Sequence, residues 1–227
     1  MSEKIGIIMG LILALSWNLL QAQKDYYGYT LDNFRESEAF NERVDVDNPD
    51  AARVNALIFY LTNEERVKAE LPELDYHPLL EESANLHSAQ MLKYDFFDHV
   101  NYRKKAYRNP NDRGKAVGIE NPYIAENLRR SFLLEYKSME MVYTGGPGEF
   151  FREQNGEAIG PHTYLRLCEV IVEGWMKSAP HKSNILSSQA KQLGCGSSYY
   201  NDKKFNYMPT VLATQNFQLY ESVRTTR

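Results

Sequence analysis

Pro180 sits inside the most strongly patterned stretch of the chain, EGWMKSAPHKSNIL at residues 173–186, and limits what that stretch can become. A proline disfavours the helical conformation at the residue before it, so a helix arriving through Trp175 and Met176 must stop near Ser178. The same ring suits the first turn of a new helix. The expected local structure is a long helix, a break and a short second helix. The long helix is predicted over Tyr164 to Met176, with Leu165, Cys168, Val172 and Trp175 or Met176 buried. His181 falls at the start of the short helix, where the partial positive charge favours a neutral imidazole. Ile185 and Leu186 anchor the turn. His181 is either a turn-fixing side chain or a group placed for chemistry.

The rest of the chain is consistent with one globular domain. Its 227 residues are 43% hydrophobic with a net charge of −4, enough for a sizeable core and without the basic excess of a nucleic-acid binder. Residues 5–20, IGIIMGLILALSWNLL, are apolar and followed by the polar QAQK. This reads as a signal peptide over residues 1–23, cleaved near Ala22-Gln23. The run is short for a membrane span, so the mature chain is expected to be secreted, periplasmic or extracellular, with no membrane span after cleavage. Two cysteines, Cys168 and Cys195, leave two readings open: a disulfide, which export permits, or two buried thiols.

Residues 24–50 have little periodicity and read as an N-terminal extension or linker. Val54, Leu57, Ile58 and Leu61 form one helical face, and a second helix is predicted from Leu79 to Tyr94 with Leu80, Ala84, His87 and Met91 along a stripe. His87 on that stripe is read as a satisfied core histidine. Phe96-Phe97-Asp98-His99 leaves the helix as a loop. The basic run YRKKAYRNPNDRGK after it is read as a solvated loop or as a site for an anionic envelope ligand. Residues 131–163 look like a structured insertion that walls a cleft. Leu193 to Tyr199 and Val211 to Leu219 are predicted strands. The core domain is assigned to residues 51–222, with a tail at 223–227.

The order of NEER, a Leu-x-Tyr link, HSAQM, FFDH, AENL, EGWMKSAPHKSNIL, GCG and TQNF resembles the CAP superfamily of cysteine-rich secretory proteins, antigen 5 and plant pathogenesis-related proteins, most closely its bacterial secreted SCP-domain branch. The resemblance implies an α/β fold, a three-layer α-β-α sandwich around a mixed sheet. It also implies a cleft of histidines and glutamates able to hold a divalent metal such as zinc. His99 matches the first histidine and Glu126 the glutamate. Glu120 competes with Glu126, but Pro122 follows it and proline does not suit a central strand. The animal and plant pattern has a glutamate three residues after the tryptophan and a histidine three before the glutamine of the last strand. Here those are Ser178 and Leu212, ahead of Gln215. The bacterial branch has a Ser-x-x-His turn instead, and its histidine is His181. The expected metal set is therefore His99, Glu126 and His181, with Ser178, Gln215 and His162 as further cleft candidates. Two imidazoles and a carboxylate suit zinc.

Three functions fit. The first is a non-enzymatic module binding a lipid, envelope or protein ligand. The second is a metal-dependent hydrolase, peptidase-like, using the same cleft. The third is a structural or adhesive surface protein. No HExxH helix, GxSxG elbow or phosphate loop occurs to favour other chemistry.

Overall fold

The computed structural model describes residues 26–137 and 139–225. The signal peptide expected at residues 1–23 lies outside the described residues. In chain order the elements are α1 (Glu38–Asn41), α2 (Ala51–Lys68), β1 (Asp75–Tyr76), α3 (Pro78–Tyr94), α4 (Pro110–Ala116), β2 (Ile124–Phe132), β3 (Tyr143–Thr144), β4 (Phe150–Phe151), α5 (Tyr164–Met176), α6 (Ala179–Ile185), β5 (Ala190–Asp202) and β6 (Met208–Leu219). Four strands form one sheet in the order β1-β5-β6-β2, with β1 parallel to β5 and the other pairs antiparallel.

Alternation along β5 shows how the layers form. Leu193 and Cys195 join the main core with Val54, Leu57, Cys168, Ile171 and Trp175 from α2 and α5. Gly194 and Gly196 point the other way, where an added Cβ would lie 2.0 Å from the Glu81 nitrogen and 2.2 Å from the Asn85 nitrogen of α3. The two glycines let α3 approach the sheet backbone too closely for any side chain. Ser88 on α3 bridges Thr214 Oγ1 at 2.8 Å and the Gly196 carbonyl at 3.2 Å. The molecule is thus an α-β-α sandwich, with α2 and α5 on one face of a mixed sheet and α3 and α4 on the other.

The helix break at Pro180 is as expected, α5 ending at Met176 and α6 beginning at Ala179. Arg66, fully buried on α2, holds the far end of α6 by donating to the carbonyls of Ile185 (2.8 Å) and Ser187 (2.9 Å), and to Pro72 O at 2.9 Å.

Two segments depart from the reading of the sequence. Residues 26–50 form part of the domain: Phe34, Phe40 and Val44 are buried in the main core, and Tyr27 donates to Glu81 Oε2 at 2.6 Å. Phe34 lies on a 3-10 turn and Phe40 on the one-turn helix α1, both too short to show a period. The segment read as the 131–163 insertion begins inside β2, and Leu133 belongs to the main core. Beyond it, Leu134, Phe150 and Ile159 form a small separate cluster with Met208. This cluster sits past the Phe132 end of β2, six residues and roughly 20 Å along the strand from Glu126. It does not wall the neighbourhood of Glu126.

Cys168 and Cys195 are both free and buried, and burial pushes both thiols well above their usual range. No helix among the described residues is long and apolar enough to cross a membrane.

Candidate functional site

Glu126 lies on β2 and faces the α3 and α4 side of the sheet, paired in register with Asn216 of β6. Its side chain is 1% exposed, and both oxygens are engaged. Oε1 accepts from His99 Nδ1 at 2.9 Å, and Oε2 accepts from Arg113 Nη2 at 2.6 Å. The carboxylate also sets the Asn216 amide: with its nitrogen toward Oε2 (3.1 Å), the amide donates to Glu126, and its oxygen accepts from Ser83 Oγ and the Ala84 N–H, both at 3.2 Å. His87 Nε2 stands 3.6 Å from Oε1.

Local folding explains each placement. Helix α3 ends at Tyr94, and Asp95 takes a left-handed conformation (φ 49°) that turns the chain out of the helix. Phe96 then packs with Met91, Leu128 and Leu212, and the Asp98 carbonyl accepts from His87 Nε2 at 3.0 Å. These contacts fix the loop, so that His99 meets Glu126. Arg113 comes from α4. Asn109 caps that helix, Pro110 occupies its first turn, and the Asp112 carboxylate accepts from the Asn109 N–H at 3.1 Å. This is a capping box. It converts part of the expected solvated loop into a helix and buries one of its arginines. Arg113 also donates to the carbonyls of His99, Tyr107 and Arg108 at 3.1–3.3 Å.

The charges are mutually adjusted. Burial alone would raise the Glu126 carboxyl, but His99, His87 and Arg113 outweigh it and hold the group below the usual carboxylate range. The hydrogen bond to Glu126 raises His99, against opposing desolvation. With Nδ1 committed to Glu126, Nε2 of the neutral His99 ring is the free acceptor, on a side chain that is 49% exposed. Burial depresses His87 to about 4. Its ring is neutral, with Nε2 donating to Asp98 O and a buried Nδ1 that has no hydrogen-bond partner among the described residues.

His87 predicts an acid sensitivity. The folded protein holds the ring neutral, whereas the unfolded chain takes up a proton below about pH 6.5. Stability from this group is full above that value and falls as pH drops toward 4. A depression from 6.5 to about 4 corresponds to about 3 kcal/mol. Urea midpoints at about pH 7 and about pH 4.5 should therefore differ less in His87→Gln than in the parent. An equal difference in both would show that His87 does not carry the effect.

His181 reaches the same region from the neighbouring helix. Asn127 Nδ2 donates to the His181 carbonyl at 3.1 Å, and Asn184 Nδ2 donates to Asn127 Oδ1 at 2.8 Å and to Glu126 O at 3.3 Å. These two asparagines fasten α6 to β2. The His181 ring is half-buried and shifted below its usual value by burial, then by the charges of His99 and Arg129.

The other candidates lie elsewhere. Ser178 is the residue before α6, and its side chain makes no cap. Gln215 is fully buried on the opposite face of the sheet, donating to Thr62 Oγ1 at 2.6 Å and accepting from Asn127 at 3.0 Å. His162 is buried near the far end of β2, where its N–H donates to Leu133 O, and the charges acting on it come from Glu135, Arg166 and Arg43.

For a metal, the donor set divides. Glu126 is poorly placed as a direct ligand, because a cation on either oxygen would compete with a hydrogen-bond donor already there, His99 on Oε1 or Arg113 on Oε2. Among the described residues no group of three or more His, Cys, Asp or Glu is placed to hold an ion. The accessible donor beside Glu126 is His99 Nε2, with the carboxylate behind Nδ1 to fix the ring's tautomer. Arg113 and Asn216 escaped the sequence reading, and His87 was read only as a core histidine. The Asn109-Pro110-x-Asp112 signal marks the start of α4 without marking Arg113 as a buried partner.

Among solved structures, the chain is similar to an extracellular protein containing an SCP domain from Bacillus anthracis, at 21% identity and a TM-score of 0.48, covering 73% of this chain and 40% of that one. It is similar to an outer surface protein from Borrelia burgdorferi at 12% identity and a TM-score of 0.44, covering 72% of this chain and 90% of that one. A cysteine-rich secretory protein from Staphylococcus aureus gives 17% identity and a TM-score of 0.38, covering 74% and 40%. The chain thus spans less than half of the Bacillus and Staphylococcus chains. No curated protein matches it. The model of the cysteine-rich secretory protein (CAP) family matches residues 59–217, and the chain belongs to that family.

Proposed function

We propose that this chain is an exported, non-enzymatic binding module whose recognition face is the cleft bearing His99 and His181. Export is supported by the apolar run at residues 5–20 and the polar QAQK after it. The observation that carries the binding reading is the engagement of Glu126. A hydrolase would need this carboxylate to take a proton from water or substrate, and a general base must reach that proton. Glu126 is buried, held below the usual carboxylate range and bonded at both oxygens. Its role is to orient His99. A divalent cation such as zinc would be held by His99 Nε2 and the His181 imidazole, leaving positions open for a ligand atom from a lipid, envelope or protein partner.

Zinc at one hundred times its dissociation constant should add about 2.7 kcal/mol of stability. The gain should fade as pH falls, first through the raised range of His99 and then through the lowered range of His181, since protons compete for imidazole nitrogen. Thermal melts of the full chain with zinc and with chelator test this on the parent, His99→Ala and His181→Ala. The expected result is a midpoint rise in the parent and none in either variant. An equal rise in all three proteins, or no rise in the parent, would overturn the two-imidazole site.

A further inference from the structure

Residues 92–108 carry five cations, Lys93, Arg103, Lys104, Lys105 and Arg108, against two carboxylates, Asp95 and Asp98, in a chain whose net charge is −4. Several cations elsewhere are neutralised: Arg35 pairs with Glu64 and Glu169, Arg53 with Glu42, and Arg166 with Glu169 and Glu173, whereas ones unpaired among the described residues, such as Lys115, Lys182 and Lys191, are not gathered in one such run. None of the five is ion-paired among the described residues. They are exposed, and the same segment exposes Leu92 (40%), Phe97 (42%) and Tyr102 (73%). The cations are interleaved with rings. Arg108 lies over Tyr102 at 5.5 Å, Lys104 and Lys93 over Tyr94 at 6.0 and 5.6 Å, and Arg130 of β2 over Phe97 at 5.1 Å.

We propose that this patch docks the protein onto an anionic lipid surface. Unpaired cations alone would suit any polyanion. Leu92 and Phe97 offer no hydrogen bond to a sugar or phosphate polymer, whereas apolar and amphipathic rings among Lys and Arg suit the headgroup boundary of a bilayer. His99 is in the same segment, so docking brings the imidazole cleft against the membrane. The docking itself does not depend on zinc or on the role of His181.

The test is partitioning of the full chain onto vesicles of phosphatidylcholine alone and of phosphatidylcholine with phosphatidylglycerol. The ratio of the two partition constants cancels the contribution of the apolar run at residues 5–20. Each cation near an anionic surface changes binding by about fivefold, so replacing Lys104, Lys105 and Arg108 together with Gln should lower the ratio on the order of a hundredfold. These side chains are exposed, so folding should be kept. Phe97→Ser with Tyr102→Ser should weaken binding to the anionic vesicles several-fold at unchanged charge. A ratio near one in the parent, or a ratio unchanged by the triple substitution, would overturn the proposal. Binding to soluble dextran sulfate without preference for the anionic vesicles would also overturn it, assigning the patch to a polymer.

Discussion

Arg113→Met should lower unfolding stability by about 3–5 kcal/mol, the cost of leaving one member of a buried ion pair without the other. The side chains of Arg113 and Glu126 are 0% and 1% exposed, and they meet at 2.6 Å. Methionine fills much of the same volume but removes the charge opposite Oε2, together with the donors to the His99, Tyr107 and Arg108 carbonyls. Glu126→Gln should also destabilise, because it leaves Arg113 buried against a neutral amide. The double variant should lose less than the sum of the two, since neither charge then remains unpaired. Urea unfolding of the four proteins measures this. A loss below about 1 kcal/mol for Arg113→Met would mean that the pair is solvated and the core of the site misassigned.

Trp175→Ala should cost about 3–5 kcal/mol as well, through a different mechanism. Trp175 is fully buried in the main core, and its Nε1 donates to the Leu128 carbonyl at 3.0 Å. The substitution empties a large volume between α5 and the sheet and orphans a buried acceptor of β2. Trp175→Phe should recover most of the packing while still lacking the hydrogen bond. A denaturant midpoint unchanged by Trp175→Ala would place the indole outside the core.

The same residues show how far the sequence could be read. Both ends of α5 were legible, because Pro180 ends the pattern by a local steric rule, but its face was read only in part. Cys168, Val172 and Trp175 are buried as expected, whereas Leu165 is only partly buried and Tyr164, Leu167 and Ile171 take the buried positions. The contact between His99 and Glu126 followed from the family resemblance, not from any periodicity. Arg113 was illegible as a partner because a buried arginine in a basic run has the same local signature as its solvated neighbours. Only the third dimension separates it from Lys104 or Arg108. His87 was legible as a core residue of α3, yet its position 3.6 Å from Glu126 depends on how α3 seats over Gly194 and Gly196. Phe34 and Phe40 were missed because one-turn elements carry no measurable period, and their burial is decided by tertiary packing alone.

At the centre of this account, Glu126 serves His99 and is not itself a reactive group. Titration of the His99 ring by NMR, in the parent and in Glu126→Gln, tests that most directly. The hydrogen bond from His99 Nδ1 to the carboxylate raises the imidazole above its ordinary value of about 6.5. The sign is that of a raised histidine: the pair contributes its full stability below the unfolded value and loses it as pH rises through the folded one. The His99 midpoint should lie above the ordinary value in the parent and move down in Glu126→Gln. A His99 midpoint at or below the ordinary value in the parent, or one unmoved by the substitution, would contradict it.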